Sequence, residues 1–128
     1  GMIVSAFIDA DPAQVEAAAE AGFRVCEVHT GPYAHSFFEH GRDAQTPAVE
    51  AELARVADAG ARIVEAGMRF NAGHALNYQN VAAIAALPGV RELHIGHAIV
   101  ARAVFVGLRS AVREMKTLMI RATRDPEV

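Results

Sequence analysis

The sequence predicts an α/β fold: half of a (β/α)₈ TIM barrel, made of four parallel strand–helix units. Three observations carry this expectation. First, a short β-rich run, a polar switch and a helical stretch follow one another four times. Strands that alternate with helices are joined by right-handed crossovers and lie parallel. Second, each run is apolar on one parity (Val4, Ala6, Ile8; Cys26, Val28; Met68, Phe70, Ala72; Leu93, Ile95) and polar on the other (Ser5, Asp9; Glu27, His29; Arg69, Asn71; His94). A doubly wound sheet is buried on both faces and reads apolar throughout. A barrel meets its helix ring on one face only, and its small interior can hold polar side chains beside a ligand. Third, a complete barrel needs eight strands and about 250 residues, whereas 128 residues hold four. No linker interrupts the pattern, so one domain is expected over residues 1–128, with Gly1 ahead of Met2 read as the remnant of an expression tag.

The first β-rich run covers residues 3–9. Asp11 caps the next helix, with Pro12 at the first helical position, where a missing N–H costs nothing. Val15, Ala18 and Ala19 share one helix face and Gly22 closes it. The second run covers residues 24–30 and leads into Gly31-Pro32. Residues 32–44 read as a loop, with Phe37 and Phe38 as a lid or an interface patch and His35 and His40 in solvent. Thr46-Pro47 starts a longer helix with Val49, Leu53, Val56, Ile63 and Val64 at helical spacing, closed by Gly67. The third run, residues 68–72, leads into Gly73-His74, and a helix carrying Tyr78, Val81, Ile84 and Ala85 stops at Pro88-Gly89. The fourth run, residues 92–95, leads into Gly96-His97. A helical tail over residues 98–123 follows, broken at Gly107, with Leu108, Val112, Met115, Leu118 and Met119 on one face.

Composition narrows the function classes. Hydrophobic residues make up 52% and charged residues 21%, the balance of a chain that folds around a core. A net charge of −3 without a basic run argues against nucleic acid as a partner. No apolar run approaches the ~20 residues of a bilayer span and no signal peptide is visible, so no membrane partner is expected. The single cysteine, Cys26, cannot form an internal disulfide, which makes the cytoplasm the default compartment; by parity it faces the helix layer as inert packing. Eleven of the twelve basic residues are arginine, and the one lysine, Lys116, lies far along the last helix. A Schiff base with an enzyme lysine therefore has no candidate. Four units also leave two unpaired parallel edges, which favours a homo-oligomer in which another copy supplies the missing half, or a fragment of a longer chain.

Barrel chemistry sits at the C-terminal ends of the strands. Those ends read Asp9; Glu27-Val28-His29-Thr30-Gly31; Asn71-Ala72-Gly73-His74; and Gly96-His97, so three of the four carry a histidine. Glu27 falls on the interior parity, where a carboxylate must be paired, with Arg69 as the structural candidate, or must meet a cationic intermediate. His74 follows a glycine that lets the chain turn and bring the imidazole over the barrel mouth, where it suits general acid or base work. Gly96 and His97 open a helix, whose free N–H groups bind anions such as phosphate. His29 reads as an interior histidine hydrogen-bonded to a neighbour. Glu27, His29, His74, His94 and His97 all lie near strand ends, but no tight ligand pair of the H-x-H or H-E-x-x-H kind exists, and no metal is expected.

Taken together, Phe7-Ile8-Asp9-Ala10, Glu27-Val28-His29-Thr30-Gly31-Pro32-Tyr33-Ala34, Asn71-Ala72-Gly73-His74-Ala75-Leu76 and Glu92-Leu93-His94-Ile95-Gly96-His97-Ala98-Ile99 resemble the second half of the pyridoxine 5′-phosphate synthase family of vitamin B6 biosynthesis. The resemblance continues through Ala101-Arg102-Ala103-Val104 and Met115-Lys116 and spans nearly the whole chain in order. It implies a (β/α)₈ barrel with extra helices in a higher oligomer. It implies a transferase-type condensation of 3-amino-2-oxopropyl phosphate with 1-deoxy-D-xylulose 5-phosphate to pyridoxine 5′-phosphate, with release of phosphate and water and without metal or organic cofactor. The substrate amine makes the imine, in keeping with the lack of a placed lysine. By the same resemblance His74 is the proton donor, Glu27 the carboxylate that stabilises transition-state charge, and Ala75, Gly96 and His97 the segments that bind the phosphorylated substrate. The family normally has glycine where Ala75 stands. Its first half supplies another histidine, a glutamate and arginines, so this chain alone is not expected to complete the reaction. The alternatives are a non-catalytic, self-associating half-barrel that binds a phosphate compound, and a metal-dependent hydrolase reusing the strand-end histidines.

Overall fold

Four strands, β1 (Ser5–Ile8), β2 (Val25–His29), β3 (Arg69–Gly73) and β4 (Val90–His94), lie side by side in chain order as one parallel sheet. The structure is a computed structural model and describes residues 1–124; residues 125–128, the end of the expected domain, lie outside the described residues. Six helices alternate with the strands: α1 (Pro12–Glu20), α2 (Gly31–Glu39), α3 (Pro47–Glu65), α4 (Val81–Ala85), α5 (His97–Val106) and α6 (Leu108–Arg124). This is an α/β fold consistent with half of a (β/α)₈ barrel. Among the described residues the outer edges of β1 and β4 have no strand partner.

The strand parities divide as the sequence indicates. Ile8, Cys26, Val28, Phe70 and Ala72 are buried in one cluster with Val15, Val56, Ala59 and Ile63 of the helices. Removing a side chain such as Phe70 from water contributes about 1.5–3 kcal/mol. Helix α3 comes close enough for this because Gly60 has no side chain: a Cβ there would collide with the Phe70 ring. The helix interior accepts a glycine, at a cost of about 1 kcal/mol, in exchange for that contact. Cys26 has no solvent exposure and its Sγ lies 3.6 Å from Met68 Sδ.

Local signals set most helix ends. The Asp11 carboxylate accepts the Ala13 N–H at 2.9 Å, and Pro12 occupies the first helical position. Gly67, at φ +76°, follows the end of α3, and Gly107, at φ +79°, separates α5 from α6.

Four expectations are corrected. Residues 32–44 are not simply a loop: α2 forms because Pro32 presets its first turn, while Tyr33, Ala34 and Phe37 fall on one buried side. Phe38 points outward, 66% exposed beneath Arg42, and His35 and His40 are in solvent. The helix expected around Tyr78–Ala85 shrinks to α4, because the Asn77 side chain accepts the N–H groups of Gln79 and Asn80 and holds a turn in competition with the helix. Tyr78 instead donates its hydroxyl to the Ala111 carbonyl of α6 at 2.9 Å. Val64 is half exposed, and α6 buries Ala111, Met115 and Ala122 rather than Leu108 and Val112, which face outward.

Candidate active site

The polar strand parity faces away from the helices. Parallel register sets Glu27 beside Asn71 and Asn71 beside Glu92, and one layer up sets His29 beside Gly73 and Gly73 beside His94. The chain leaves this face at the strand ends through the segment after β3 and the start of α5. There Glu27, His74, Ala75, His94, Gly96 and His97 surround one cleft of about 450 Å³. The five residues that the resemblance assigns to chemistry or substrate binding, Glu27, His74, Ala75, Gly96 and His97, therefore border a common space, whereas Asp9 and His29 line a neighbouring groove.

Glu27 meets His94 and not Arg69. His94 Nδ1 lies 2.6 Å from Glu27 Oε2, and His94 Nε2 lies 3.6 Å from Glu92 Oε2. The hydrogen bond to Glu27, reinforced by both carboxylate charges, raises the His94 pKa above its usual value, against some desolvation. Glu92 also accepts from Asn71 Nδ2 at 3.5 Å, while the buried Asn71 Oδ1 has no hydrogen-bond partner among the described residues. Glu27 and His94 stand on strands separated by β3, and they meet because Gly73 lies between them: a Cβ on Gly73 would collide with Glu27 Oε1 and come within 3.0 Å of His94.

That observation also corrects the role of Gly73. It lies inside β3 and supplies clearance, whereas the left-handed turn falls on His74 (φ +86°) and Ala75 (φ +58°). An L-residue in that region carries about 1–2 kcal/mol of strain, so the surroundings must hold it. Buried Thr30 places its hydroxyl 2.7 Å from the carbonyl oxygens of both Gly73 and His74. Asn80 Nδ2 donates to the Ala75 carbonyl at 3.3 Å, and its Oδ1 accepts the Asn77 N–H at 2.7 Å. Tyr33 of α2 donates to the Asn80 carbonyl at 2.9 Å, and burial pushes the Tyr33 phenol up to about 12. Thr30, Tyr33 and Asn80 are the supporting residues that sequence reasoning missed; the one available signal was that Thr30 and Tyr33 follow within four residues of His29.

A second imidazole stands against His74. The rings of His29 and His74 meet edge to face with centroids 4.7 Å apart, and Phe7 lies 5.3 Å from His29 and 6.2 Å from His74. His29 Nδ1 lies 3.2 Å from Asp9 Oδ1, as expected of an interior histidine with a neighbour. Hydrogen bonds from His29 and then Gln14 hold the Asp9 carboxyl below its usual range.

Gly96 caps α5 without a side-chain hydrogen bond and borders the cleft with His97 and Ala98; the first amides of a helix have no intrahelical acceptor. Among the described residues no three His, Cys, Asp or Glu side chains converge as metal ligands. No described helix is long and apolar enough to cross a membrane.

Comparison with known proteins identifies the family over most of the chain. The family described as "Pyridoxal phosphate biosynthesis protein PdxJ" matches residues 1–121. The chain is 65% identical over 127 residues to the pyridoxine 5′-phosphate synthase of Dechloromonas aromatica, covering 99% of this chain and 51% of that protein. It is 66% identical over 119 residues to the protein of that name from Azoarcus sp., covering 93% and 48%. It is likewise 66% identical over 119 residues to the one from Aromatoleum aromaticum, covering 93% and 47%. The chain thus spans about half the length of the curated relatives it matches.

Proposed function

The chain belongs to the PdxJ family of pyridoxal phosphate biosynthesis proteins, and on that premise we propose that it forms the proton-donating and phosphate-binding half of a pyridoxine 5′-phosphate synthase. The reaction is the condensation of 3-amino-2-oxopropyl phosphate with 1-deoxy-D-xylulose 5-phosphate. The observation that carries the reading is the single cleft bordered by Glu27, His74, Ala75, Gly96 and His97.

Each group has work suited to its chemistry. The free amides at the start of α5, with the Ala75 N–H opposite, receive the phosphate of the aminoketone. His74 gives its proton to a leaving oxygen at the cleft mouth. Glu27, fixed on rigid β2, places negative charge where the condensation of amine and ketone develops a cationic imine. The amine comes from the substrate, which suits a chain whose only lysine lies on α6. The partners of this reading are phosphorylated small molecules, and its compartment is the cytoplasm. The free edges of β1 and β4 and the exposed Val104 and Phe105 favour association with further strand–helix units or with another copy of the chain.

A chimera tests the proposal. This chain replaces the matching half of the Dechloromonas aromatica relative, and pyridoxine 5′-phosphate is measured with both substrates. The chimera is expected to make product, and its His74→Ala variant to lose at least about a hundredfold in rate. A folded chimera that makes none, beside an active parent, would contradict the proposal.

A further inference from the structure

We propose that His94 is a positioning residue for Glu27: its Nδ1 fixes one carboxylate oxygen across the intervening strand, and its charge state sets the negative charge that Glu27 presents to the cleft. The inference rests on the reading of Glu27 as the charge-stabilising carboxylate and adds a control to it.

The contact is built rather than incidental. Strands two apart in a sheet are about 9.5 Å apart, so their side chains meet only where the strand between leaves room. Gly73 leaves that room, with its missing Cβ where Glu27 Oε1 now lies. Across the gap His94 Nδ1 reaches Glu27 Oε2 at 2.6 Å, a charge-assisted length. This bond ties up Oε2 and leaves Oε1 beside Gly73.

The groups around the ring set its behaviour. β2 contributes Glu27 and β4 contributes Glu92, 3.6 Å from Nε2. β3 contributes only the uncharged Gly73 and Asn71. The segment after β3 and the start of α5 bring His74 and His97 to the same cleft. A protonated His94 stands between two carboxylates, and its pair with Glu27 carries no net charge. A neutral His94 still donates from Nδ1, and Glu27 then carries its full negative charge. The carboxylate stays in place while its field on a cationic intermediate changes with pH, so activity rises as His94 loses its proton.

Two measurements test this. In the chain itself, NMR titration of the His94 imidazole is compared with that in Glu27→Gln, where the midpoint is expected to fall because the hydrogen bond and charge of Glu27 are gone. An unchanged midpoint would overturn the proposal whatever the activity. In the chimera, His94→Asn keeps an N–H near Nδ1 but cannot titrate. It is expected to flatten the acid limb of kcat against pH while KM stays within about twofold, whereas His94→Phe, with no donor, loses kcat by about tenfold or more. A wild-type acid limb in His94→Asn would also overturn it. A chimera without product counts against the proposed reaction, and the NMR comparison alone then decides the role of His94.

Discussion

Thr30 holds His74 by its backbone: the Thr30 hydroxyl, fully buried, lies 2.7 Å from the His74 carbonyl oxygen and also 2.7 Å from that of Gly73. The Gly73 carbonyl keeps a second partner in the Thr30 N–H at 2.8 Å, so the His74 carbonyl is the one that depends on the hydroxyl. Thr30→Val keeps the shape and removes the donor. It is expected to lower unfolding stability by about 1–3 kcal/mol, read from denaturant midpoints, with Thr30→Ser recovering most of the loss. A Thr30→Val protein of unchanged stability would show that the turn is held elsewhere.

Ala75 sits at φ +58°, where a methyl group is strained and a glycine is not. Ala75→Gly is therefore expected to stabilise the folded chain by about 1 kcal/mol, seen as a higher denaturant midpoint at an unchanged m-value. A lower midpoint would mean that lost chain entropy in the unfolded state outweighs relief of strain.

The alternation of strands and helices, the parity of their faces and the convergence of Glu27, His74, Gly96 and His97 were legible in the sequence, because period-two patterning and strand-end position are local signals. Three features were not. Helix α2 hides behind Gly31-Pro32 and a pair of phenylalanines of which only Phe37 is buried. The partner of Glu27 depends on what β3 lacks at Gly73, and no pattern within β2 encodes a residue two strands away. The glycine before His74 suggested the hinge, yet the left-handed conformations fall on His74 and Ala75, held by Thr30 and Asn80 from elsewhere in the chain.

The raised pKa of His94 makes stability depend on pH with a definite sign. Glu27 favours the protonated ring in the folded state. That stabilisation is fully present below the unfolded histidine value of about 6.5 and is lost as pH rises through the higher folded value. The wild-type advantage in denaturant midpoint over His94→Asn is therefore expected to be larger at about pH 5.5 than at about pH 8.5. An advantage that grows toward alkaline pH would contradict the pairing.

Cys26 has no solvent exposure, and burial raises its thiol pKa. A thiol reagent is expected to leave it untouched in the native chain and to label it on unfolding, at a rate that follows global opening. Prompt labelling under native conditions would contradict its placement against Met68.

The central claim is that the ends of β2, β3 and β4 and the start of α5 make one phosphate-accepting cleft. It is tested most directly by mapping amide shifts of the isotope-labelled chain during titration with glycerol 3-phosphate, a stable three-carbon phosphate ester. Saturable shifts are predicted at Ala75, Gly96, His97 and Ala98, fading in His74→Ala or His97→Ala but not in His35→Ala. Shifts that never saturate, or that gather at Arg55 and Asp58 of α3, in the groove beside Asp11 and Pro12, would contradict it.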